Sequence, residues 1–149
     1  MIRKFCSEDA TSCCRLVQAC LREDSSISTA LREKLLQGES PESIRERARL
    51  FYVIVYESAG AILGVAGMDM NEIRLLCVLP GYQHRGIGRA LFEHIKAMVP
   101  RDFFSDIFVY SSPRATGFYN SCGFVQKGSV SFNHGDEIMH TVFMTLSLR

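Results

Sequence analysis

The chain has 149 residues, of which 47% are hydrophobic and 22% are charged. This length and composition predict one globular domain over residues 1–149 and exclude a disordered or collagen-like chain. Seventeen Lys and Arg residues against sixteen Asp and Glu residues leave a formal net charge of +1, which argues against a nucleic-acid-binding protein.

The first third of the chain predicts a short strand followed by helices. Residues 1–5 are a strand candidate, and Ser7 is placed to cap a helix whose apolar residues recur at helical spacing. A second helical stretch spans residues 28–50, and it is interrupted where Ser40 can cap a new helix that begins at Pro41.

The middle of the chain predicts three consecutive strands and then a helix. Residues 51–57, 61–68 and 72–78 are rich in strand-forming residues and are separated by short turns, which indicates an antiparallel meander. From Gly86 a helix follows. Its predicted apolar stripe consists of Ile87, Leu91, Ile95 and Met98.

The last third adds strands on the other side of a helix. Residues 107–110 predict a strand and residues 113–122 a short helix, and residues 124–132 and 138–148 predict two strands joined by a loop at residues 133–136. Strands on both sides of helices, partly antiparallel, indicate a mixed α+β fold.

No stretch approaches the ~20 apolar residues of a membrane span, and no apolar segment of a secretory signal follows the N-terminus. The six cysteines lack the paired C-x-x-C spacing of zinc sites, so we interpret them as free thiols, which predicts a cytoplasmic protein. We interpret four polar residues near the C-terminus as loop polarity and predict no metal site: His134, Asp136, Glu137 and His140.

Residues 78–91 carry the chemistry of this sequence. They predict a strand, a sharp turn at Pro80 and Gly81, and a polar loop whose glycines, Gly86 and Gly88, open a helix. Backbone N–H groups converge at such a helix start, and the helix dipole adds positive charge, so this loop predicts an anion site that suits a pyrophosphate. Three side chains add cationic character to the loop: His84, Arg85 and Arg89.

Two common nucleotide motifs fit this loop poorly. A Walker loop would close with Gly-Lys-Ser/Thr, whereas Gly88 is followed by Arg89 and Ala90. A Rossmann fingerprint would place a third glycine where Leu91 stands, and three strands in a row do not form its repeated βαβ units.

The run Val78-x-Pro80-x-x-Gln83-x-x-Gly86-x-Gly88, followed by an amphipathic helix, resembles the acetyl-CoA-binding motif of the GCN5-related N-acetyltransferase (GNAT) superfamily. A second block, residues 111–124, resembles the later motif of the same family, in which a short helix carries a tyrosine four residues before Gly-Phe. The order of the predicted elements extends this resemblance over essentially the whole chain.

The resemblance implies a GNAT fold: a central, mostly antiparallel sheet of about seven strands with one splayed parallel pair, flanked by helices. Acetyl-CoA would be the cosubstrate, with its pantetheine arm in the splayed gap, where backbone groups of Leu76, Cys77 and Val78 hold the arm and polarise the thioester. The pyrophosphate would be wrapped by Gln83, His84, Arg85, Gly86, Ile87, Gly88 and Arg89. Ser112 stands where relatives often use a longer polar residue to bind the pantetheine.

The resemblance also implies the catalytic groups. Tyr119 matches the proton donor to the leaving thiolate, and Glu72 stands where some relatives carry a general base, with Asp69 or ordered water as the alternative. The implied activity is acetyl transfer to a primary amine of a small molecule in a ternary complex. A protein lysine or N-terminal acetyltransferase and a non-catalytic acyl-CoA-binding module stay open as alternatives, as does a homodimer.

Overall fold

A computed structural model describes all 149 residues, Met1–Arg149. The helices are α1 (Ala10–Glu23), α2 (Thr29–Gln37), α3 (Pro41–Leu50), α4 (Ile87–Ala97) and α5 (Thr116–Ser121). The strands are β1 (Ile2–Lys4), β2 (Tyr52–Ser58), β3 (Ala61–Asp69), β4 (Glu72–Val78), β5 (Asp106–Ser111), β6 (Val125–His134) and β7 (Glu137–Ser147). Single 3₁₀ turns, Ser7–Asp9 and Pro113–Ala115, precede α1 and α5.

The seven strands form one sheet in the order β1-β2-β3-β4-β5-β7-β6. Every neighbouring pair is antiparallel except β4 and β5, which run parallel. The predicted mixed α+β class, the antiparallel meander of β2, β3 and β4, and the single parallel pair are therefore confirmed. None of the helices combines the length and the apolar character needed to cross a membrane.

Helices cover both faces of the sheet, so the core has two layers. On one face α4 and α5 pack over a cluster that includes the fully buried Leu91, Phe92 and Ile95. On the other face α1 and α3 pack over a smaller cluster that includes Leu16 and Ile44. The strands between these layers are consequently almost continuously apolar, as in β3, where six consecutive residues are buried.

The break between α2 and α3 lies at the predicted cap Ser40, and Ser28 caps the start of α2. The Ser28 hydroxyl accepts a hydrogen bond from the Leu31 N–H at 3.1 Å. Ser40 and Ser43 exchange hydrogen bonds between side chain and backbone at 3.0 Å each, and Pro41 occupies the first helical position. Both helix starts thus satisfy N–H groups that have no partner inside the helix.

Two local predictions are wrong. Ser7 does not cap α1, because a 3₁₀ turn precedes the helix, which begins at Ala10, and the Ser7 hydroxyl accepts instead from the Arg45 guanidinium at 3.0 Å. Met98 does not extend the apolar stripe of α4, because the helix ends one residue earlier and Met98 is exposed. Phe92, fully buried, completes that stripe.

The C-terminal hairpin is tighter than predicted. β6 and β7 pair as far as His134 and Glu137, so the predicted four-residue loop contracts to the two residues Gly135 and Asp136. Gly135 has a φ of +65°, which glycine adopts without steric cost. The Asp136 carboxylate contacts the Lys34 ammonium, and this contact ties α2 to the end of the hairpin.

The side chain of Arg3 joins β1 to the 3₁₀ turn Ser7–Asp9 and to β2. The Arg3 guanidinium donates to both carboxylate oxygens of Asp9, at 2.8 and 2.9 Å, and to Glu57 at 2.7 Å. The hydrogen bonds from Arg3 lower the pKa of the buried Asp9 carboxyl to about 2. The carboxylate therefore stabilises the fold above its unfolded pKa of about 3.9, and this stabilisation is lost as the pH falls towards 2.

We expect Asp9→Asn to lower the free energy of unfolding at pH 7 by about 2 kcal/mol, because the variant loses the charged partner of Arg3. The difference from the wild type should shrink as the pH falls from 4 to about 2, where Asp9 itself becomes protonated. Urea denaturation at pH 7, 4 and 2.5 measures the free energy of unfolding of the wild type and of the variant. Asp102→Asn, an exposed change in a turn, is the control, and a constant difference at all three pH values would contradict this account.

Candidate functional site

The sheet opens between β4 and β5. These two strands pair at only two positions, Glu72 with Phe108 and Ile73 with Val109. Beyond Ile73, β4 keeps its ladder to β3 and β5 keeps its ladder to β7, but no pair joins β4 to β5. A gap therefore separates the C-terminal halves of these two strands, and it begins after Ile73.

A β-bulge lies at the vertex of this gap. In the ladder between β3 and β4, Leu75 pairs with Gly67 and Ile73 pairs with Met68, so Arg74 is one residue too many on β4. A bulge bends its strand and increases the local twist. β4 therefore turns away from β5 at the point where their pairing stops.

Two residues of β4 direct their backbone groups into the gap. The Leu79 N–H donates to the Leu63 carbonyl at 2.8 Å, which fixes the side of the strand that faces β3. Because backbone groups alternate along an antiparallel strand, Cys77 also faces β3, whereas Leu76 and Val78 turn their N–H and C=O groups towards the gap. Two of the three β4 residues assigned from the sequence thus have backbone groups placed to meet a ligand.

The Val78 carbonyl is held by two side chains. The Gln83 amide donates to it at 3.0 Å, and the Cys20 thiol of α1 donates to it at 3.2 Å. The side chain of Gln83 therefore fastens the glycine-rich loop to the end of β4. Sequence reasoning missed Cys20, whose only signal was its place on the apolar face of α1. The neighbouring Cys20 thiol, together with burial, raises the pKa of the Cys77 thiol.

The start of α4 presents free backbone N–H groups. His84 and Gly86 have φ values of +63° and +88°, so the chain enters the helix through a left-handed turn, for which glycine at position 86 is suited. The first hydrogen bond inside the helix runs from the Ala90 N–H to the Gly86 carbonyl at 3.0 Å. The N–H groups of residues 87–89 precede it and have no partner within the helix. These N–H groups lie where the sequence predicts an anion site, and free N–H groups at a helix start are suited to bind an anion.

The two arginines of the loop are placed differently. Arg85 is exposed, lies over the Tyr82 ring at 5.2 Å from its centroid and makes no ion pair, so its charge is available to an anion. Arg89 donates to the Ser121 carbonyl at 3.0 Å and to Glu93 at 3.3 Å. The side chain of Arg89 therefore joins α4 to α5, while its backbone N–H stays in the anion site.

Close packing fixes α5 against the start of α4. A Cβ atom on Gly88 would lie 3.2 Å from Cε1 of Phe118, tighter than ordinary van der Waals contact. The absence of a side chain at Gly88 thus lets Phe118 approach the helix start. The next residue, Tyr119, packs on Phe118 and Phe124 with ring centroids 5.2 and 5.3 Å apart. This packing holds the tyrosine ring within the core cluster that also contains Ile87 and Leu91 of α4.

Tyr119 is buried, and no hydrogen bond joins its hydroxyl to another group of the chain. Burial raises the pKa of this phenol, and the neighbouring thiols of Cys77 and Cys122 raise it further. Tyr119 belongs to the core cluster on which Leu76 and Val78 of β4 pack. Because Glu39 Oε2 is the only buried side-chain oxygen or nitrogen without a partner, the Tyr119 hydroxyl oxygen keeps contact with solvent and can donate a hydrogen bond to a group from outside the chain.

Two carboxylates lie near the vertex of the gap. The Arg74 guanidinium lies 3.5 Å from Glu72 and 4.0 Å from Asp69. The side chain of Glu72 is 22% exposed and that of Asp69 is 44% exposed. Glu72, which also pairs with β5, is therefore the more sheltered carboxylate and the one nearer the vertex.

Ser112 and the polar residues near the C-terminus are the remaining residues singled out from the sequence. Ser112 begins the 3₁₀ turn after β5, and its carbonyl accepts from the Ser111 hydroxyl at 2.7 Å. In the C-terminal polar group, His140 bonds Ser131 at 3.0 Å, while Asp136 contacts Lys34.

A mixed sheet that splays between its one parallel pair, with a glycine-rich helix start at the mouth of the gap, defines the acetyltransferase fold of the GNAT type. Comparison with known proteins agrees with this assignment of the fold. The family model described as acetyltransferase (GNAT) domain matches residues 21–146. The chain belongs to the GNAT acetyltransferase family, as its two motifs predict.

Similar proteins are known from bacteria. An uncharacterised N-acetyltransferase from Chlorobaculum tepidum is 30% identical over 97 residues, which cover 62% of this chain and 60% of that protein. A GCN5-related N-acetyltransferase from Rhodopseudomonas palustris superposes with a TM-score of 0.91 at 20% identity, over 99% of this chain and 95% of the other. A phosphinothricin acetyltransferase from Sinorhizobium meliloti, solved with AcCoA, gives a TM-score of 0.77 at 18% identity, over 99% and 88%.

Proposed function

We propose that residues 1–149 form a single N-acetyltransferase domain that moves an acetyl group from acetyl-CoA to a primary amine of a small molecule. The observation that carries this proposal is the gap between β4 and β5, which has free backbone groups on one wall and the Tyr119 hydroxyl beside it. The complex of the Sinorhizobium meliloti enzyme with AcCoA supports the choice of cosubstrate.

The anion site at the start of α4 would hold the diphosphate of acetyl-CoA. The N–H groups of Ile87, Gly88 and Arg89 point out of the helix start, and Arg85 adds a free positive charge. From there the pantetheine arm would enter the gap and pair, in the manner of a strand, with the backbone groups of Leu76 and the N–H of Val78, because the Val78 carbonyl already accepts from Gln83 and Cys20. A backbone N–H aimed at the thioester oxygen stabilises the charge that develops there during attack.

Proton transfer would involve one group on each side of the reacting carbon. The amine nitrogen forms the new C–N bond and the C–S bond breaks, so the amine must lose a proton and the sulfur must gain one. Glu72 accepts the amine proton, directly or through water, and Tyr119 donates a proton to the sulfur. Burial destabilises a phenolate and a thiolate alike, so the buried phenol stays protonated until thiolate forms beside it.

The test of this function is acetyl-CoA turnover with a panel of acceptors. The panel contains n-butylamine, 2-phenylethylamine, spermidine, an amino acid and a lysine-containing peptide. Chromatography of the released CoA and the mass of the product measure transfer against a reaction without amine. Acetylation of at least one small amine is expected. Turnover with the peptide alone would identify a protein acetyltransferase, and binding of CoA without any turnover would identify a non-catalytic module.

The anion site makes a separate prediction about affinity. Arg85→Glu should weaken CoA binding by about tenfold at low salt, because it places negative charge beside the phosphates, and by less at 1 M salt. Titration calorimetry measures both affinities. Lys127→Glu makes the same change of charge on the exposed strand β6 and should leave the affinity within about twofold. Equal affinities for the two variants would contradict the loop assignment.

A further inference from the structure

Four aromatic rings form a continuous cluster on one face of the sheet: Phe108, Tyr110, Phe132 and Phe143. Tyr110 contacts the other three, with ring centroids 5.9 Å from Phe108, 5.3 Å from Phe143 and 5.1 Å from Phe132. Ile107 and Val109 are buried in the core beneath α4. Because side chains alternate along β5, Phe108 and Tyr110 lie on the opposite face.

This aromatic cluster borders the vertex of the gap. Phe108 is the register partner of Glu72, and Tyr110 follows Val109, the last residue of β5 that pairs with β4. Neighbouring strands lie about 4.8 Å apart, and alternate residues of a strand are about 7 Å apart. The first ring, Phe108, therefore lies one strand away from the Glu72 carboxylate. The other rings lie farther from Glu72, on β5, β6 and β7.

Part of the cluster is open to solvent. Tyr110 and Phe132 are each 38% exposed, although both rings pack on other aromatic side chains. An exposed, contiguous set of rings next to a candidate site indicates a binding surface for an apolar group. The contact of Lys34 with Asp136 holds α2 beside β7 at the hairpin end of the sheet, so a helix lies near one end of the aromatic cluster.

The charged side chains at the vertex of the gap carry a net charge that suits one bound cation. Glu72 and Asp69 are the carboxylates there, and the Arg74 guanidinium is the basic group near both, which leaves one net negative charge. The distances of 3.5 and 4.0 Å from Arg74 are longer than hydrogen bonds, so neither carboxylate is saturated. A single ammonium group would find a counter-charge beside the first ring of the cluster.

We propose that the acceptor is a primary amine joined by two or three carbon atoms to an aromatic or similarly apolar body. The amino group lies at Glu72, at the vertex of the gap, and the apolar body packs on the aromatic cluster, chiefly on Tyr110 and Phe132. This inference rests on the proposed function, because it assigns the acceptor of the same site. A polyamine or a polar peptide would leave the rings uncovered.

The test compares kcat/KM for 2-phenylethylamine with the values for n-propylamine and spermidine. Burial of a phenyl group should raise kcat/KM about tenfold or more over n-propylamine. Phe132→Ser should lower the value for 2-phenylethylamine several-fold more than the value for n-propylamine. Ile138→Ser is the matched control, because Ile138 is exposed in the same hairpin but points to the other face.

The outcomes separate this inference from the proposed function. Turnover in which spermidine, a peptide or n-propylamine matches 2-phenylethylamine overturns the inference alone. If no amine is acetylated, the proposed function fails, and titration calorimetry of 2-phenylethylamine into the CoA-loaded protein then decides the acceptor surface. Binding that is weakened by Phe132→Ser and retained in Ile138→Ser supports the aromatic cluster, and absence of binding overturns it.

Discussion

Replacement of Tyr119 by Phe is expected to lower kcat by about 10²-fold, the low end of what a general acid contributes. The variant keeps the ring that packs on Phe118 and Phe124. It breaks no internal hydrogen bond, because the hydroxyl has none within the chain. The thermal midpoint and the affinity for CoA should therefore stay close to the wild-type values, while the leaving sulfur departs without a proton donor.

Steady-state kinetics, calorimetry with CoA and thermal unfolding together test this role of Tyr119. Tyr56→Phe is the matched control, because Tyr56 packs against the same core cluster from β2, two strands away from β4 and the gap. Its turnover should equal that of the wild type. Unchanged kcat in Tyr119→Phe would remove the tyrosine from the reaction, and a large loss of CoA affinity would make it a binding residue.

Replacement of Glu72 by Gln should reduce kcat/KM for a small amine by about 10²-fold near pH 7. An alkylamine with a pKa near 10.4 is almost wholly an ammonium ion at this pH and must lose a proton before it attacks. As the pH rises towards 10, solvent removes that proton, so the deficit of the variant should shrink. The pH profiles of kcat/KM for both proteins measure this convergence.

The neighbouring carboxylate provides the control for Glu72. Asp69→Asn changes an equally charged side chain that contacts the same guanidinium but is more exposed. We expect its kcat/KM to stay within about threefold of the wild type. A larger loss in Asp69→Asn than in Glu72→Gln would transfer the role of base to Asp69, and no loss in either would assign it to water.

The glycine-rich loop could be predicted because its determinants are local. Proline and glycine specify the turn after β4, and Gly86 adopts the left-handed conformation that only a residue without a Cβ tolerates well. The meander was predictable for the same reason, since short turns separate strands of consistent composition. The end of α4 was not, because one helical turn more or less leaves the apolar spacing unchanged, and Met98 was misassigned.

The parts that sequence reasoning missed depend on residues far apart in the chain. The hydrogen bond from Cys20 to the Val78 carbonyl spans 58 positions and exists only after α1 packs on the sheet. The aromatic cluster joins β5, β6 and β7, so the alternation of Phe108 and Tyr110 in β5 was its only local trace. The pairing of β4 and β5 likewise stops for a reason that lies in the ladder to β3.

The β-bulge at Arg74 has a consequence for how the gap between β4 and β5 could be lost. Deleting Arg74 would remove the basic neighbour of Glu72 and Asp69 and would keep every residue of the two motifs, and without the bulge β4 is expected to run straighter beside its parallel neighbour. We expect further pairs to form between β4 and β5, which would narrow the gap between them. The gap between β4 and β5 thus depends on one extra residue in β4. A chain could therefore keep every residue of both motifs and still lack the gap.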